Sequence, residues 1–331
     1  MSFGLEMKIY SKFTPEADCI LFNGDCLDFL RQVPDESVQL VVTSPPYNIG
    51  KTYEERMELS EYVRQQAAVI EQCVGKLKST GSICWQVGNY VHDGAIVPLD
   101  VILYGIFADL GLKMRNRIVW HYGHGLHATK RFSGRYEVVM WFTKGGDYTF
   151  NLDDVRVPQK YPQKRYFRGP KKGQLSGHPR GKNPADVWEI PNVKANHVEK
   201  TIHPCQFPVE LVERLVLALT DKGDWVYDPF VGVGSTAVAA LIHGRRVMGS
   251  EIVPEYIEIA RRRLEDAEKG MLRIRPMERP VFDPRKSEFP APPKAVKIGS
   301  EKGQSNLFSA SEYQSVLQPL DEEPPTARLT P

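Results

Sequence analysis

Residues 225–241 read Trp225-Val226-Tyr227-Asp228-Pro229-Phe230-Val231-Gly232-Val233-Gly234-Ser235-Thr236, followed by an alanine-rich apolar run to Leu241. This pattern predicts a buried strand, a tight turn and a helix. Gly232 and Gly234 permit positive φ and close approach of a ligand to the backbone. The start of the helix offers free N–H groups and positive potential. The segment therefore predicts a βα unit of an α/β fold, with a ligand site at the turn.

A further predicted strand, Arg246–Gly249, leads to Glu251, about 20 residues beyond the glycines. An acidic side chain at this spacing in a βαβ unit can bind ribose hydroxyls. The turn differs from a nicotinamide-binding fingerprint, because Ala237 lies where the third glycine often lies. We therefore expect a cofactor that carries a ribose and is not a nicotinamide dinucleotide.

A second motif, Thr43-Ser44-Pro45-Pro46-Tyr47-Asn48, follows the apolar run Val38–Val42. Proline has no N–H, so the backbone carbonyls of this turn lack a competing donor and can accept from a substrate amino group. Ser44 adds an acceptor, and Tyr47 adds a ring face for stacking. Taken alone, the two prolines could also simply end a strand.

Together, the segment Asp228–Gly234 and the segment Ser44–Tyr47 closely resemble the two signature motifs of the S-adenosylmethionine-dependent amino-methyltransferases of DNA. The catalytic loop precedes the cofactor loop, as in the circularly permuted β-group of that family. The resemblance extends from about Asn23 to about Leu264. It implies a doubly wound, Rossmann-like α/β sheet with an inserted target-recognition region, S-adenosyl-L-methionine as cofactor and double-stranded DNA as substrate.

The resemblance also implies which residues form the site. The expected catalytic residues are Ser44, Pro45, Pro46 and Tyr47. The expected cofactor-binding residues are Asp25, Asp228, Pro229, Phe230, Gly232, Gly234, Ser235 and Glu251. In the family, the acidic residue at the position of Asp25 approaches the adenine. The segment His203–Pro208 resembles one that closes over the methionine end of the cofactor in relatives.

Basic residues concentrate in one part of the chain, although the formal net charge is only +2. Nine basic residues and no acidic ones lie between Arg156 and Ala185, interleaved with aromatic residues and broken by glycine and proline. This composition suits contact with phosphates and bases, or simply a solvated loop. The family's target-recognition region lies at this place. We expect DNA contacts from Lys130, Arg131, Arg135, Lys164, Arg165, Arg168, Lys171 and Lys172.

The chain is expected to divide into four parts. Residues 1–150 would form the catalytic half of the methyltransferase domain and residues 201–270 its cofactor-binding half. Residues 151–200 would be the basic target-recognition insert. Residues 271–331, which are rich in proline, would be extended or disordered. Periodicity predicts strands at Ile20–Asp25, Gly81–Gly88, Arg117–Trp120 and Glu137–Phe142, and helices at Leu27–Val33, Ser60–Val74, Val101–Leu110 and from Val209 onward.

The identity of the methylated base is left open between two candidates. In the family a leading serine, here Ser44, is more typical of N4-cytosine enzymes, and a leading aspartate or asparagine of N6-adenine enzymes. The sequence therefore favours N4 of cytosine over N6 of adenine. It is also compatible with an RNA or protein-amide methyltransferase and with a non-catalytic DNA-binding protein. A cognate restriction endonuclease could accompany the enzyme, which would act as a monomer or homodimer.

Several classes of protein are disfavoured. No apolar stretch of about 18 residues and no secretory signal is present, so we expect a cytoplasmic protein without membrane contact. The five cysteines show no Cys-x-x-Cys spacing, and His121, His124 and His127 do not fit a helical metal face, so no metal is expected. Cys205 follows a proline, as does the nucleophile of cytosine-C5 methyltransferases, but the amino-group loop would then have no purpose.

Overall fold

The computed structural model describes residues 7–48, 50, 56–125 and 127–277. The expected tail therefore lies outside the described residues, apart from residues 271–277, which have no regular secondary structure. Among the described helices, none combines the length and the hydropathy needed to cross a membrane.

The described residues form eleven strands and six α-helices. The strands are β1 (Ile9–Tyr10), β2 (Cys19–Asn23), β3 (Val38–Thr43), β4 (Leu77–Val87), β5 (Asn89–His92), β6 (Ala95–Pro98), β7 (Lys113–His121), β8 (Tyr136–Thr143), β9 (Val187–Glu189), β10 (Trp225–Asp228) and β11 (Arg246–Glu251). The helices are α1 (Cys26–Leu30), α2 (Leu59–Lys76), α3 (Leu99–Asp109), α4 (Val209–Leu219), α5 (Ser235–Ile242) and α6 (Pro254–Glu268).

Nine of these strands form one mixed sheet in the order β1-β2-β11-β10-β3-β4-β8-β7-β9. The strands from β1 to β4 in this order are parallel to their neighbours. Strand β8 is antiparallel to both β4 and β7, and β9 is parallel to β7. Strands β5 and β6 form a separate hairpin. Strands β7 and β8 are antiparallel, so a loop at one end of the two strands connects them without a crossover helix.

Helices cover both faces of the sheet. Along β3, Leu40 and Val42 face one apolar core, which also receives the buried faces of α4, α5 and α6. Val41 faces the other core, which receives those of α1, α2 and α3. This alternation follows from the two-residue period of a strand. The expectation of a doubly wound α/β fold is confirmed.

The neighbouring strands β3 and β10 locate the functional end of the sheet. They are parallel, with Leu40 opposite Val226 and Val41 opposite Tyr227. The chain leaves β10 into α5 on one face, whereas the next long helix after β3, α2, lies on the other face. A crevice at the carboxyl ends of two such strands is the usual ligand site of an open α/β sheet. The glycine turn and the Ser-Pro-Pro-Tyr turn both lie at this edge.

The basic segment is only partly separate from this sheet. A 3-10 turn at Leu152–Asp154 precedes an irregular hairpin with bridges between Val157 and Lys182 and between Arg165 and Leu175. The chain then enters β9, whose Trp188 is buried in the core. Residues 187–200, which the sequence assigned to the insert, therefore begin with a strand of the main sheet.

Some elements differ from their sequence-based limits. Helix α1 ends at Leu30, three residues before the expected end, and Pro34 follows soon after. Residues close before a proline disfavour continued helix. Helix α3 begins at Leu99, two residues earlier than expected, directly after Pro98.

Candidate active site

A cavity of about 410 Å³ opens at the carboxyl ends of β3 and β10. This volume lies within the range of small-molecule sites. Its lining combines both predicted motifs with two segments that precede α4. The lining includes Asp25, Ser44, Pro45, Pro46, Tyr47, Gln86, Glu137, Asn192, Lys194, His203, Cys205, Phe207, Pro229, Phe230, Gly232, Ser235 and Glu251.

Asp228 lies beneath this cavity and does not line it. Its side chain is fully buried and accepts hydrogen bonds from Thr43 Oγ1 (2.5 Å), Thr236 Oγ1 (2.6 Å) and the Phe230 backbone N (3.0 Å). Burial raises the pKa of Asp228 to about 6, although the three hydrogen bonds oppose the shift. Asp228 therefore fixes the turn that forms the site, and its expected contact with the cofactor stays a prediction.

The two glycines of the turn have different surroundings. Gly232 has φ 51° and lines the cavity, and a Cβ there would lie 3.4 Å from Nε2 of His203. Gly234 has φ 81° at the start of α5, and a Cβ there would lie 3.0 Å from Cβ of Ala260. Gly234 thus allows α5 to pack closely against α6, and its expected contact with the cofactor stays a prediction.

Two carboxylates that line the cavity accept hydrogen bonds from backbone N–H groups. Glu251 accepts hydrogen bonds from the backbone N of Gly232 (3.1 Å) and of Val253 (2.8 Å), and burial raises its pKa. Asp25 caps α1 by accepting from the Leu27 backbone N (2.7 Å). A positive-φ glycine beside the cavity, the start of α5 and a carboxylate at the end of β11 fit a cofactor with a ribose.

Ser235 connects the glycine turn to the segment before α4. Its hydroxyl donates to the Phe207 carbonyl (2.9 Å). In the same segment, Nδ1 of His203 accepts from the Cys205 backbone N (3.2 Å), and the His203 ring packs on Tyr256 with 4.6 Å between centroids. Burial lowers the pKa of His203 to about 4. The imidazole is therefore neutral at neutral pH.

The Ser-Pro-Pro-Tyr turn contacts two polar residues that sequence reasoning missed. Ser44 Oγ and Tyr47 Oη lie 2.9 Å apart, and Tyr47 Oη donates to Glu137 Oε2 over 3.2 Å. Gln86 Nε2 donates to the same Glu137 oxygen. Burial, followed by the charge of Glu137, raises the pKa of Tyr47, and burial raises that of Glu137. Glu137 and Gln86 lie in strands with no local motif to reveal them.

The expected DNA-contacting residues lie outside the cavity. Lys130 and Arg131 are exposed in the loop between β7 and β8, which leaves the sheet at the edge that bears the cavity. Arg135 lies in the same loop and donates to the Gly134 carbonyl (2.8 Å). The other five are exposed on the basic hairpin, namely Lys164, Arg165, Arg168, Lys171 and Lys172. The expected DNA-contacting residues thus belong to two segments of the chain, the β7–β8 loop and the basic hairpin.

The five cysteines differ in their exposure. Cys205 is exposed at the cavity, whereas Cys19, Cys26, Cys73 and Cys84 are buried and unbridged. Within the described ranges, no group of three or more His, Cys, Asp or Glu side chains is arranged to hold a metal ion.

Comparisons with known proteins identify the family. A family model described as DNA methylase, of the N6/N4 methyltransferase type, matches residues 38–262. The type II methyltransferase M.BglII of Bacillus subtilis is 54% identical over 241 residues, covering 72% of this chain and 67% of the relative. The DNA adenine methyltransferase YhdJ of Escherichia coli is 33% identical over 262 residues, covering 78% of this chain and 86% of the relative.

A solved structure agrees with these matches. The modification methylase TTHA0409 of Thermus thermophilus, described as putative and complexed with S-adenosyl-L-methionine, is 27% identical with a TM-score of 0.53. The match covers 76% of this chain and 96% of that chain. The matches in sequence and fold, together with a cavity built from both signature motifs, show that this chain belongs to the S-adenosylmethionine-dependent amino-methyltransferases of DNA.

Proposed function

We propose that this chain transfers a methyl group to the exocyclic amino group of a flipped base in double-stranded DNA, with N4 of cytosine as the leading target. One observation carries the proposal: Ser44 and Pro45 line the same cavity as Gly232 and Glu251. Acceptors for a base amino group and a fitting cofactor cradle thus share one site. Such an arrangement aligns two reactants and lowers the entropic part of the barrier.

The cofactor, S-adenosyl-L-methionine, supplies an electrophilic methyl group on a sulfonium sulfur. An aromatic amine is a poor nucleophile, because its lone pair is delocalised into the ring. Ser44 Oγ and the Pro45 carbonyl would accept the two amino hydrogens and draw the nitrogen toward tetrahedral geometry. Pre-oriented acceptors of this kind stabilise a transition state without reorganisation.

Base flipping would bring the amino group to these acceptors. Enzymes that act on a base within a duplex extrude it, at a cost of a few kcal/mol, and stack it on apolar or aromatic side chains. Tyr47 lines the cavity and offers a ring for this contact. The exposed basic residues in the β7–β8 loop and the basic hairpin would bind the phosphates and keep the duplex over the cavity.

Two bases compete as the target. The neutral hydroxyl of Ser44 at the first position of the catalytic motif favours cytosine, following the family pattern. Adenine is the second candidate, because a relative with 33% identity, YhdJ, is named as a DNA adenine methyltransferase. Both bases present an amino group beside a ring nitrogen acceptor, so the acceptors described above suit either. The type II name of M.BglII supports a cognate restriction endonuclease as a partner.

Mass spectrometry of nucleosides tests the proposal. Plasmid DNA free of methylation is incubated with the protein and S-adenosyl-L-methionine, then digested to nucleosides. We expect N4-methylcytosine. Detection of N6-methyladenine would make adenine the target base and would leave the proposed methyl transfer to an amino group unchanged. RNA methylated in preference to DNA in a competition assay, or no modified nucleoside from a preparation that binds the cofactor, would contradict the proposal.

A further inference from the structure

The hydrogen bonds of the catalytic turn show which hydroxyl group donates in each contact. Tyr47 has one hydroxyl hydrogen, and it donates this hydrogen to Glu137 Oε2. The contact of 2.9 Å between Tyr47 Oη and Ser44 Oγ must therefore use the hydrogen of Ser44. Ser44 donates toward Tyr47, and its lone pairs remain available to a substrate amino group.

Glu137 is held where it can end this chain of hydrogen bonds. It lies at the start of β8, opposite Trp120 of β7, and lines the cavity. Gln86 Nε2 donates to its Oε2 from the neighbouring strand β4. Gly88 follows that strand, and a Cβ at Gly88 would lie 3.2 Å from the Tyr47 ring and 3.3 Å from Cγ of Glu137. The glycine therefore leaves room for the tyrosine and the carboxylate to meet.

We propose that Ser44, Tyr47 and Glu137 form a proton relay that orients the serine as an acceptor and carries the amino proton away from the methylated base. This inference rests on the proposed function, because it concerns the same cavity and the same amino group. Glu137 acts through Tyr47 and Ser44, so we describe it as a positioning residue and the final proton acceptor.

The relay balances in atoms and charge. The amino nitrogen forms a bond to the methyl carbon as the bond from that carbon to sulfur breaks, and the nitrogen then carries one proton in excess. This proton passes to Ser44 Oγ, the Ser44 proton passes to Tyr47 Oη, and the Tyr47 proton passes to Glu137 Oε2. The carboxylate becomes a carboxyl group, and both hydroxyl groups are restored.

The charged and titratable groups around Glu137 allow its carboxylate to take up a proton at a higher pH than an ordinary glutamate does. Burial raises its pKa, and the positive charge of Lys194 opposes this shift. Tyr122, which directly follows β7, has its pKa raised to about 12 by burial and then by Glu137, so it stays neutral. Tyr47 also stays neutral, because its pKa is raised. Cys205 lines the same cavity and adds the smallest of the named contributions to the raised pKa of Tyr47.

A double-mutant cycle tests the relay. Tyr47→Phe removes the connecting hydroxyl and keeps the ring, and Glu137→Gln removes the proton acceptor and keeps the size. We expect each to lower the single-turnover rate of methyl transfer by about 10- to 100-fold. Because the residues act as a unit, the double variant should be no slower than the slower single variant. Tyr104→Phe and Glu71→Gln, both at exposed helical positions, are matched controls with wild-type rates.

The pH profile separates a relay from a purely structural contact. The wild-type rate should fall as pH drops through the pKa of Glu137, and Glu137→Gln should lose this acid limb. Cofactor and DNA affinities should change less than about twofold in both variants. A Glu137→Gln variant with the wild-type rate, or one that keeps the acid limb, would overturn the relay while leaving the proposed function intact. A wild-type protein that binds cofactor and leaves DNA, RNA and protein unmethylated would overturn both.

Discussion

Thr43 Oγ1 donates a hydrogen bond to Asp228 Oδ1 over 2.5 Å, which joins residues 185 positions apart in the chain. Thr43 is the last residue of β3 and precedes the catalytic turn. Asp228 is the last residue of β10 and precedes the glycine turn. The bond therefore fixes the two signature motifs to each other directly beneath the cavity.

The buried carboxylate of Asp228 should make stability depend on pH. Its folded-state pKa of about 6 lies above the ordinary value of 3.8, so the folded protein takes up this proton first as pH falls. The free energy of unfolding of the wild type, relative to Asp228→Asn, should rise by about 1 kcal/mol between roughly pH 7.5 and pH 5. Urea denaturation at both pH values measures the difference. If the free energy of unfolding of the wild type, minus that of Asp228→Asn, stays constant or falls toward acid pH, this account of the buried carboxyl group is contradicted.

Cys205 should report occupancy of the cavity. Its thiol is exposed at the lining, whereas the other four cysteines are buried. Burial raises the pKa of Cys19 and of Cys26 to about 12, so these thiols should not react. Iodoacetamide should label Cys205 first, and saturating S-adenosyl-L-methionine should slow the labelling about tenfold or more. Peptide mass spectrometry gives the site and the rate. Unprotected Cys205 under saturating cofactor would place the ligand elsewhere.

Arg275 should stabilise the segment before α4. Its backbone N donates to Glu199 Oε1 (3.0 Å), and its guanidinium pairs with Glu210, with all three residues buried. Arg275→Ala leaves a buried carboxylate without this partner, so we expect the free energy of unfolding to fall by about 3–5 kcal/mol. Arg262→Ala, which breaks an exposed pair, should change it by less than about 0.5 kcal/mol. Equal effects of the two substitutions in a denaturant titration would refute a stabilising role for Arg275.

The basic hairpin should control how DNA affinity depends on salt. Removing one side chain that neutralises a phosphate should reduce the slope of log K against log salt by about 0.9. The double variant Lys171→Ala/Lys172→Ala, made at exposed positions, should therefore lower the slope by about 2. Lys222→Ala, an exposed residue in the turn before β10, is the control. Fluorescence anisotropy with duplex DNA measures the slope. An unchanged slope in the double variant would assign DNA binding to another surface.

Local patterns were sufficient for much of the fold and for both motifs. The pattern of Ser60–Val74 predicted α2, because its apolar residues recur at helical spacing. The pattern of Glu137–Phe142 predicted β8, because it is a short apolar run. The glycine turn and the Ser-Pro-Pro-Tyr turn have sequence signatures of their own. The cavity unites residues from both, although nearly 200 positions separate the turns.

Other features depend on pairing that no local pattern encodes. Strand β9 has three residues and is identified only by its neighbour β7. The proximity of Glu137 and Gln86 follows from the antiparallel register of β8 on β4, in which Gln86 lies opposite Val139. Nor does any local pattern show that Asp228 is buried under the turn, where tertiary packing places it. Register and depth of burial are set by the whole sheet.

The single-turnover rate of methyl transfer by Ser44→Ala, with cofactor affinity determined on the same sample, tests most directly whether chemistry takes place at the catalytic turn. Loss of one pre-oriented acceptor should lower the rate by about 100- to 1,000-fold. Affinity for S-adenosyl-L-methionine should stay within about twofold of wild type, because Gly232 and Glu251 are unchanged. A Ser44→Ala variant that methylates DNA at the wild-type rate would contradict the account.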